Sequence, residues 1–258
     1  MKKSNRSIRC RQCRQCRQGC KAALLIAAVV ALLPMPVWGQ EFTTDFQVQD
    51  CTWKHRGGQN LFFPLKPGRQ SVLEGEEDDD GEIVAIRVEI NTLREKQRIR
   101  FEAPSGDLVS LRARVWEERE FEDGELIEVS RNFVAICRET GDIFYFGEDV
   151  EVYEDGELVG NPGEWRAGVD GAQPGILFPG RFLLGSRYMQ EIAPGVALDR
   201  AENVAMGLDV PTPAGNFSGC VGVLDSNALE PDEPGDPKVY CPKVGLVMDE
   251  EIVLIERN

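Results

Sequence analysis

Apolar and polar positions alternate in short runs along most of the chain, and Gly, Asp and Pro break the runs. A period of two is the mark of a strand with one buried face. Long stretches at the helical period are missing. The pattern predicts strands at Gln70–Glu74, Glu82–Asn91, Leu108–Glu120, Glu125–Cys137, Asp142–Tyr153, Arg187–Ile192, Asn203–Val210, Gly219–Asp225, Lys238–Cys241 and Leu246–Glu256. The stretch from Asn161 to Arg181, dense in Gly and Pro, reads as irregular. The expected fold is mostly β with little helix, an antiparallel meander curved into a half-barrel or open barrel.

The middle strands allow a register to be predicted. Val109, Leu111, Ala113 and Val115 form one apolar face, and Ile127, Val129, Phe133, Ala135 and Cys137 form the next. A two-residue turn at Asp123-Gly124 would set apolar against polar. A three-residue loop, Glu122-Asp123-Gly124, sets Leu111 opposite Ala135 and Ala113 opposite Phe133. The turn at Thr140-Gly141 then sets Cys137 opposite Phe144, and the second Glu-Asp-Gly loop at Glu154 sets Val152 opposite Leu158. These registers put Arg131 on the apolar face within reach of Glu148, where a charge needs a partner.

The start of the chain is different. Met1 to Lys21 carries eight basic residues and no acid, an apolar run covers Ala22–Leu33, and Val37-Trp38-Gly39 follows. That order is a secretory signal peptide, with cleavage expected after Gly39. The apolar run is shorter than the ~20 residues of a membrane span, so no transmembrane segment is expected in the mature chain. The expected organisation is residues 1–39 as signal peptide, 40–59 as an N-terminal extension and 60–258 as a single β domain, periplasmic or extracellular. Loss of eight basic residues from 29 leaves 21 against 44 acidic ones, a balance of −23. Phosphate binding needs clustered Lys and Arg, so a nucleic-acid partner is excluded.

Four of the eight cysteines, at Cys10, Cys13, Cys16 and Cys20, fall in the leader. Their spacing matches a ferredoxin run, but it reads as an Arg-Gln-Cys repeat because no Pro and no second cysteine group follow. Cys51, Cys137, Cys220 and Cys241 remain, and an even number in an exported chain points to disulfides. Placing Cys220 opposite Cys241 sets Leu224 opposite Pro237, so both strands run into the Ser226–Asp236 loop; Cys51 is left for Cys137.

Catalytic and cofactor chemistry finds few residues. His55, the single histidine, sits among Lys54, Arg56 and two glycines and reads as an exposed bystander, with no G-x-S-x-G elbow to serve. Gly156, Gly160 and Gly163 lack the Lys-Ser/Thr of a phosphate loop. The acidic run Glu76–Asp80 lacks the fixed offsets of a calcium loop. No metal or other cofactor is expected. Asp170, between Gly168 and Gly171, is the best-placed carboxylate for acid–base work, although an Asx-turn explains it as well.

Several motifs occur in order: Leu61–Gly68 with its FPLKPG string, Asp142–Asp149 with YFGED, Glu164–Gly175 with W-x-AG-x-DGAQPG, Gln190–Gly195, and Val244-Gly245-Leu246-Val247. Together they resemble a family of secreted bacterial proteins labelled hypothetical, over roughly Asn60 to Leu254. The chain departs from that pattern at Cys137 and at Tyr240-Cys241-Pro242-Lys243, where Tyr-Ala-Pro-Gly is expected. The C-terminal pattern is also similar to periplasmic half-barrels that hold lipid or lipoprotein, a likeness of fold alone. The expected function is an exported, non-enzymatic envelope or extracellular protein that binds an apolar ligand or a protein partner. A carboxylate enzyme around Asp170 and a purely structural surface protein are the rival classes.

Overall fold

Antiparallel strands account for nearly all regular structure, because each alternating run finds a neighbour that buries its apolar face. In the computed structural model, which describes residues 41–54, 60–79 and 81–258, a 3-10 turn at Val48–Asp50 is followed by β1 (Trp53–Lys54), β2 (Gln70–Asp79), β3 (Glu82–Glu102), β4 (Leu108–Glu122), β5 (Glu125–Cys137) and β6 (Ile143–Glu154). Short strands β7 (Glu157–Gly160), β8 (Trp165–Arg166), β9 (Gln173–Phe178), β10 (Arg187–Met189) and β11 (Glu191–Ile192) come next. The chain ends in β12 (Asp199–Thr212), β13 (Gly215–Asn227), β14 (Asp236–Cys241), β15 (Gly245–Asp249) and β16 (Ile252–Arg257). The expected leader with its cysteine run, and His55, lie outside the described residues.

The strands follow the order β10-β12-β13-β14-β15-β16-β2-β3-β4-β5-β6-β9-β11, with β1 on β5 and with β7 and β8 on β6. The two ends of this path, β10 and β11, are separated in the chain by Gln190 alone. The sheet therefore curls into a nearly closed barrel with one unsealed seam. The irregular Asn161–Arg181 stretch contains β8 and β9, and the single strand expected over Leu246–Glu256 is two strands, β15 and β16, turning at Glu250 with φ 51°.

The hairpins correct the predicted registers. Asp123-Gly124 is a two-residue turn, with Glu122 opposite Glu125 and φ of 48° and 84°. Both central residues are left-handed, which matches the twist of the strands. The parity problem is solved two residues later. Glu120 pairs with Glu128 and Phe121 with Leu126, leaving Ile127 as the extra residue of a bulge. Val115 then faces Phe133. Asp155-Gly156 repeats the device, with φ of 50° and 78°, Tyr153 opposite Leu158 and Val152 opposite Gly160. At Thr140-Gly141 the loop is longer than expected: Cys137 N–H bonds the Asp142 carbonyl at 2.9 Å, and Ala135 faces Phe144.

Arg131 does not pair with Glu148. A further bulge at Phe146-Gly147 sets Arg131 opposite Asp149 and Asn132 opposite Glu148, so Glu148 points to the other side of the sheet. Arg131 bonds Glu117 at 3.2 Å and Glu151 at 3.2 Å instead.

Apolar side chains pack on both sides of the wall. Outside, Phe101, Leu111, Phe133, Phe144 and Phe146 are buried beneath the N-terminal segment. Trp53 meets Phe144 and Phe146 edge-on at 5.3 and 5.0 Å, and Phe46 meets Phe144 at 5.9 Å. Of the stretch expected as an extension, residues 42–54 thus pack within the unit Phe42–Asn258. Inside, the Leu61–Gly68 loop plugs one end of the barrel. Asn60 shapes it by accepting the Phe62 and Phe63 N–H groups at 3.0 and 2.9 Å. Phe63 then packs on Trp116, and Phe178 on Tyr240, with ring centres 5.1 and 4.6 Å apart. Each such buried side chain contributes about 1.5–3 kcal/mol.

Candidate functional site

Beyond the aromatic plug the barrel interior turns polar. Cross-strand partners point to the same face, so the registers identify which side chains turn inward. Ile90 sits opposite Glu118, and Glu118 opposite Ser130. Asn132 sits opposite Glu148, and Glu148 opposite Trp165. Val223 sits opposite Lys238, and Lys238 opposite Asp249. Alternation along β13 adds Asp225.

Gly147 makes this arrangement possible. In a regular strand Glu148 would share the outward face of Phe144 and Phe146. The bulge turns it inward, and Gly147 takes φ 134° to form it. A Cβ at this position would lie 2.4 Å from the Trp165 carbonyl oxygen, so only glycine lets β8 approach. Glu148 is buried beside Tyr145, whose hydroxyl donates to Asn132 Oδ1, and Tyr145 meets the Trp165 ring edge-on at 5.2 Å. The Trp165 indole N–H is buried without a protein acceptor.

Lys238 is the cation that meets these carboxyls. Its ammonium lies 3.3 Å from Asp249 and 3.8 Å from Asp225. Burial pulls its pKa down, but Asp249 and Asp225 outweigh that and hold it well above the ordinary lysine value. The carboxyls move upward. Burial pushes Glu118 up to about 7, against a weaker pull from Lys238. Asp225 rises to about 7 for the same reasons. Glu148 rises to about 8 through burial, partly offset by its hydrogen bond with Tyr145. Groups of this kind exchange protons near neutrality, in functional sites and in structural networks alike.

The acidic interior reaches the seam. Glu191 of β11, 1% exposed, accepts the Asp199 backbone N–H at 2.8 Å, and the two carboxyls are neighbours. Burial raises both; Asp199 pushes Glu191 up further, while the hydrogen bond from Glu191 partly offsets the rise at Asp199. Gln190 N–H bonds the Asp199 carbonyl at 2.7 Å. Gly175 of β9 lies so close to β10 that an added Cβ would meet the Met189 oxygen at 2.3 Å.

A cavity of about 30 Å³ opens between Phe63, Thr92, Trp116, Tyr240 and Leu246. A water needs about 10–15 Å³ of such space, so this cavity has room for a few waters.

On the outer wall, Leu183, Leu184 and Val204 are 64%, 59% and 47% exposed. They share one neighbourhood because the Leu183–Ser186 loop is bonded along β12: Gly185 N–H to the Asn203 carbonyl at 2.8 Å, Asn203 N–H to the Ser186 carbonyl at 3.0 Å, and Asn203 Nδ2 to the Leu183 carbonyl at 3.0 Å. Val204 is pushed outward by a bulge between Asn203 and Ala205.

Two disulfides join Cys51 to Cys137 and Cys220 to Cys241, with Cα atoms 5.0 and 4.2 Å apart, and Leu224 faces Pro237. Asp170 is exposed in a turn with φ 49°, closed by the Ala172 N–H on the Val169 carbonyl at 2.8 Å. Of the carboxyls that gather, Glu118, Glu191, Asp199 and Asp225 carry no expectation from the sequence, and Glu148 carries one only as a partner for Arg131. A readable signal existed in β13, where Asp225 continues the inward series of Val221 and Val223. The motifs converge more than their spacing reveals: Gly147, Glu148, Trp165, Gly175, Gln190 and Glu191 all line the interior or the seam.

No helix among the described residues is long and apolar enough to cross a membrane. No protein-family model matches the chain, and no curated protein does. Among solved structures the chain is similar to a candidate exported protein with a YmcC-like fold from Bacteroides fragilis, at 19% identity and a TM-score of 0.32, over 77% of this chain and 99% of that one.

Proposed function

We propose that this chain is an exported, non-enzymatic protein that acts by docking a partner protein on its outer wall. The observation that carries this reading is the exposed cluster of Leu183, Leu184 and Val204, since apolar surface gathered on a water-exposed wall marks an interaction site. The two disulfides fit an oxidising compartment. The apolar-ligand alternative has less support: a ligand pocket takes about 300–1,000 Å³, and the cavity of about 30 Å³ at the barrel end has nothing like that room. Catalysis at Asp170 has little support from an exposed turn. The test places a photo-crosslinking residue at Leu184 and, as a control, at the equally exposed Leu108 in cells that export the protein. A discrete adduct at Leu184 that Val204→Glu removes is expected. Equal labelling at both positions, or a lipid that co-purifies in native mass spectrometry, would overturn the reading.

A further inference from the structure

The seam is the one place in the barrel path where two strand edges meet without a ladder. What joins them is a small hairpin. Its first arm, β11, is bonded to β9 through Glu191 opposite Pro174. Its second arm opens β12, where Asp199 sits opposite Asn227 of β13. The arms are tied by the Gln190 N–H on the Asp199 carbonyl, by the Asp199 N–H on Glu191 Oε1, and by a bridge between Ala193 and Ala197. Their carboxyl side chains face each other at the point where the two edges come together.

We propose that Glu191 and Asp199 form a pH-sensitive latch: one proton shared between the two carboxyls holds β11 against β12, and its loss to solvent loosens the barrel along the seam. Two carboxylates this close, with Glu191 fully buried, cannot both ionise without repulsion, which is the behaviour of a carboxyl dyad. Other charges around the pair act in the same direction or fall short of cancelling it. Glu148 of β6 faces Glu191 and adds negative charge. Asp236 of β14 and Asp225 of β13 add more around Asp199, and Lys238 is the counterweight, already engaged by Asp225 and Asp249. Tyr145 of β6 lies in the same field and stays neutral. The pair therefore holds its shared proton above the usual carboxylate range. The closed barrel belongs to the acid side, and the charged interior becomes accessible on the basic side.

Hydrogen exchange on the whole purified chain tests this, with rates corrected for the base-catalysed intrinsic rate. The amides to follow are Gln190, Ala193 and Asp199, against reference amides in β4 and β5. In the wild type their protection is expected to fall by about tenfold for each pH unit above the midpoint of the pair, the factor that one unit of linkage carries, while the reference amides hold. Glu191→Gln keeps a donor to Asp199 that cannot be lost, so its seam stays protected across the range, and Asp199→Asn acts the same way from the other arm. Seam protection in the wild type that is flat with pH, or that falls equally in both variants, overturns the latch. If neither variant folds, carboxyl NMR of the wild type decides: one proton retained on the pair at neutral pH supports it, and two ordinary carboxylate titrations overturn it.

Discussion

On β4, β5 and β6 the outer side near the N-terminal segment is aromatic and dry, while the inner side further along is carboxyl-rich and crossed by a lysine. Phe146 is fully buried among rings; Glu148, two residues on, is buried among acids. The outer layer follows from simple alternation, because apolar side chains at every second position meet a segment that covers them. The inner layer needs interruptions. Each bulge, at Ile127, Gly147 and Val159, moves the pattern across the sheet by one residue. Strand periodicity thus specifies the layer that holds the wall together, and departures from it specify the layer that titrates.

The largest test of this contrast is to release the outer layer. Cys51–Cys137 closes a separation of 86 residues and pins the covering segment, and Cys220–Cys241 closes 21. In the chain-entropy model they contribute about 4.6 and about 3.3 kcal/mol. The double variant Cys51→Ser/Cys137→Ser is expected to lose more stability in urea unfolding than Cys220→Ser/Cys241→Ser. The reverse order would mean that the covering segment stays docked without its bond.

Next in size is the switch between layers. Gly147→Ala puts a methyl against the Trp165 backbone at a positive φ, and about 3 kcal/mol of destabilisation is expected. If the bulge instead slides at little cost, the urea midpoint barely moves, and Glu148 owes its inward position to something other than Gly147.

The inner layer should answer to pH. Glu118 and Asp225 hold protons up to about 7 when folded, against about 4 when unfolded. Folding takes up protons in that window. Their stabilisation is therefore complete below the unfolded value and is lost as pH rises through about 7, at up to ~1.4 kcal/mol per pH unit for each group. Urea midpoints are expected to fall from pH 5 to pH 8, and Glu118→Gln should flatten the slope. A midpoint that rises over this range would place ordinary, solvated carboxylates inside the barrel.

The smallest expected effect is a control outside both layers. Asp170→Asn, in its exposed turn, should change stability by less than about 0.5 kcal/mol. A larger loss would make the turn part of the framework.

How much of this was legible in the sequence differs between the layers. Glu125–Cys137 was read at its observed limits, and the facing of Leu224 and Pro237 followed from setting Cys220 opposite Cys241 across the Ser226–Asp236 loop. The β character and barrel curvature came from alternation. The Arg131–Glu148 pair failed because a bulge inverts every side chain beyond it, and one residue of slip is invisible to a period of two. The Glu191–Asp199 pair was beyond reach for another reason. Its residues are ordinary acids near Gly and Pro, and only the meeting of the two sheet edges brings them together. Asp170 drew attention as a loop carboxylate, yet burial rather than loop position decides which acids are perturbed.

The pairing of β2 with β16 has a consequence for how the molecule is made. Ser71 is registered with Arg257 and Leu73 with Leu254, so the first long strand waits for the last. During synthesis β2, β3 and β4 emerge early and can associate at once, but the other edge of β2 stays open until β16 arrives. Such long-range closure is slow compared with hairpin formation, and an open edge is a template for neighbouring chains. The charged run Glu74-Gly75-Glu76-Glu77-Asp78 along that strand acts as a guard during the wait, since like charges discourage two such edges from pairing before the right one comes.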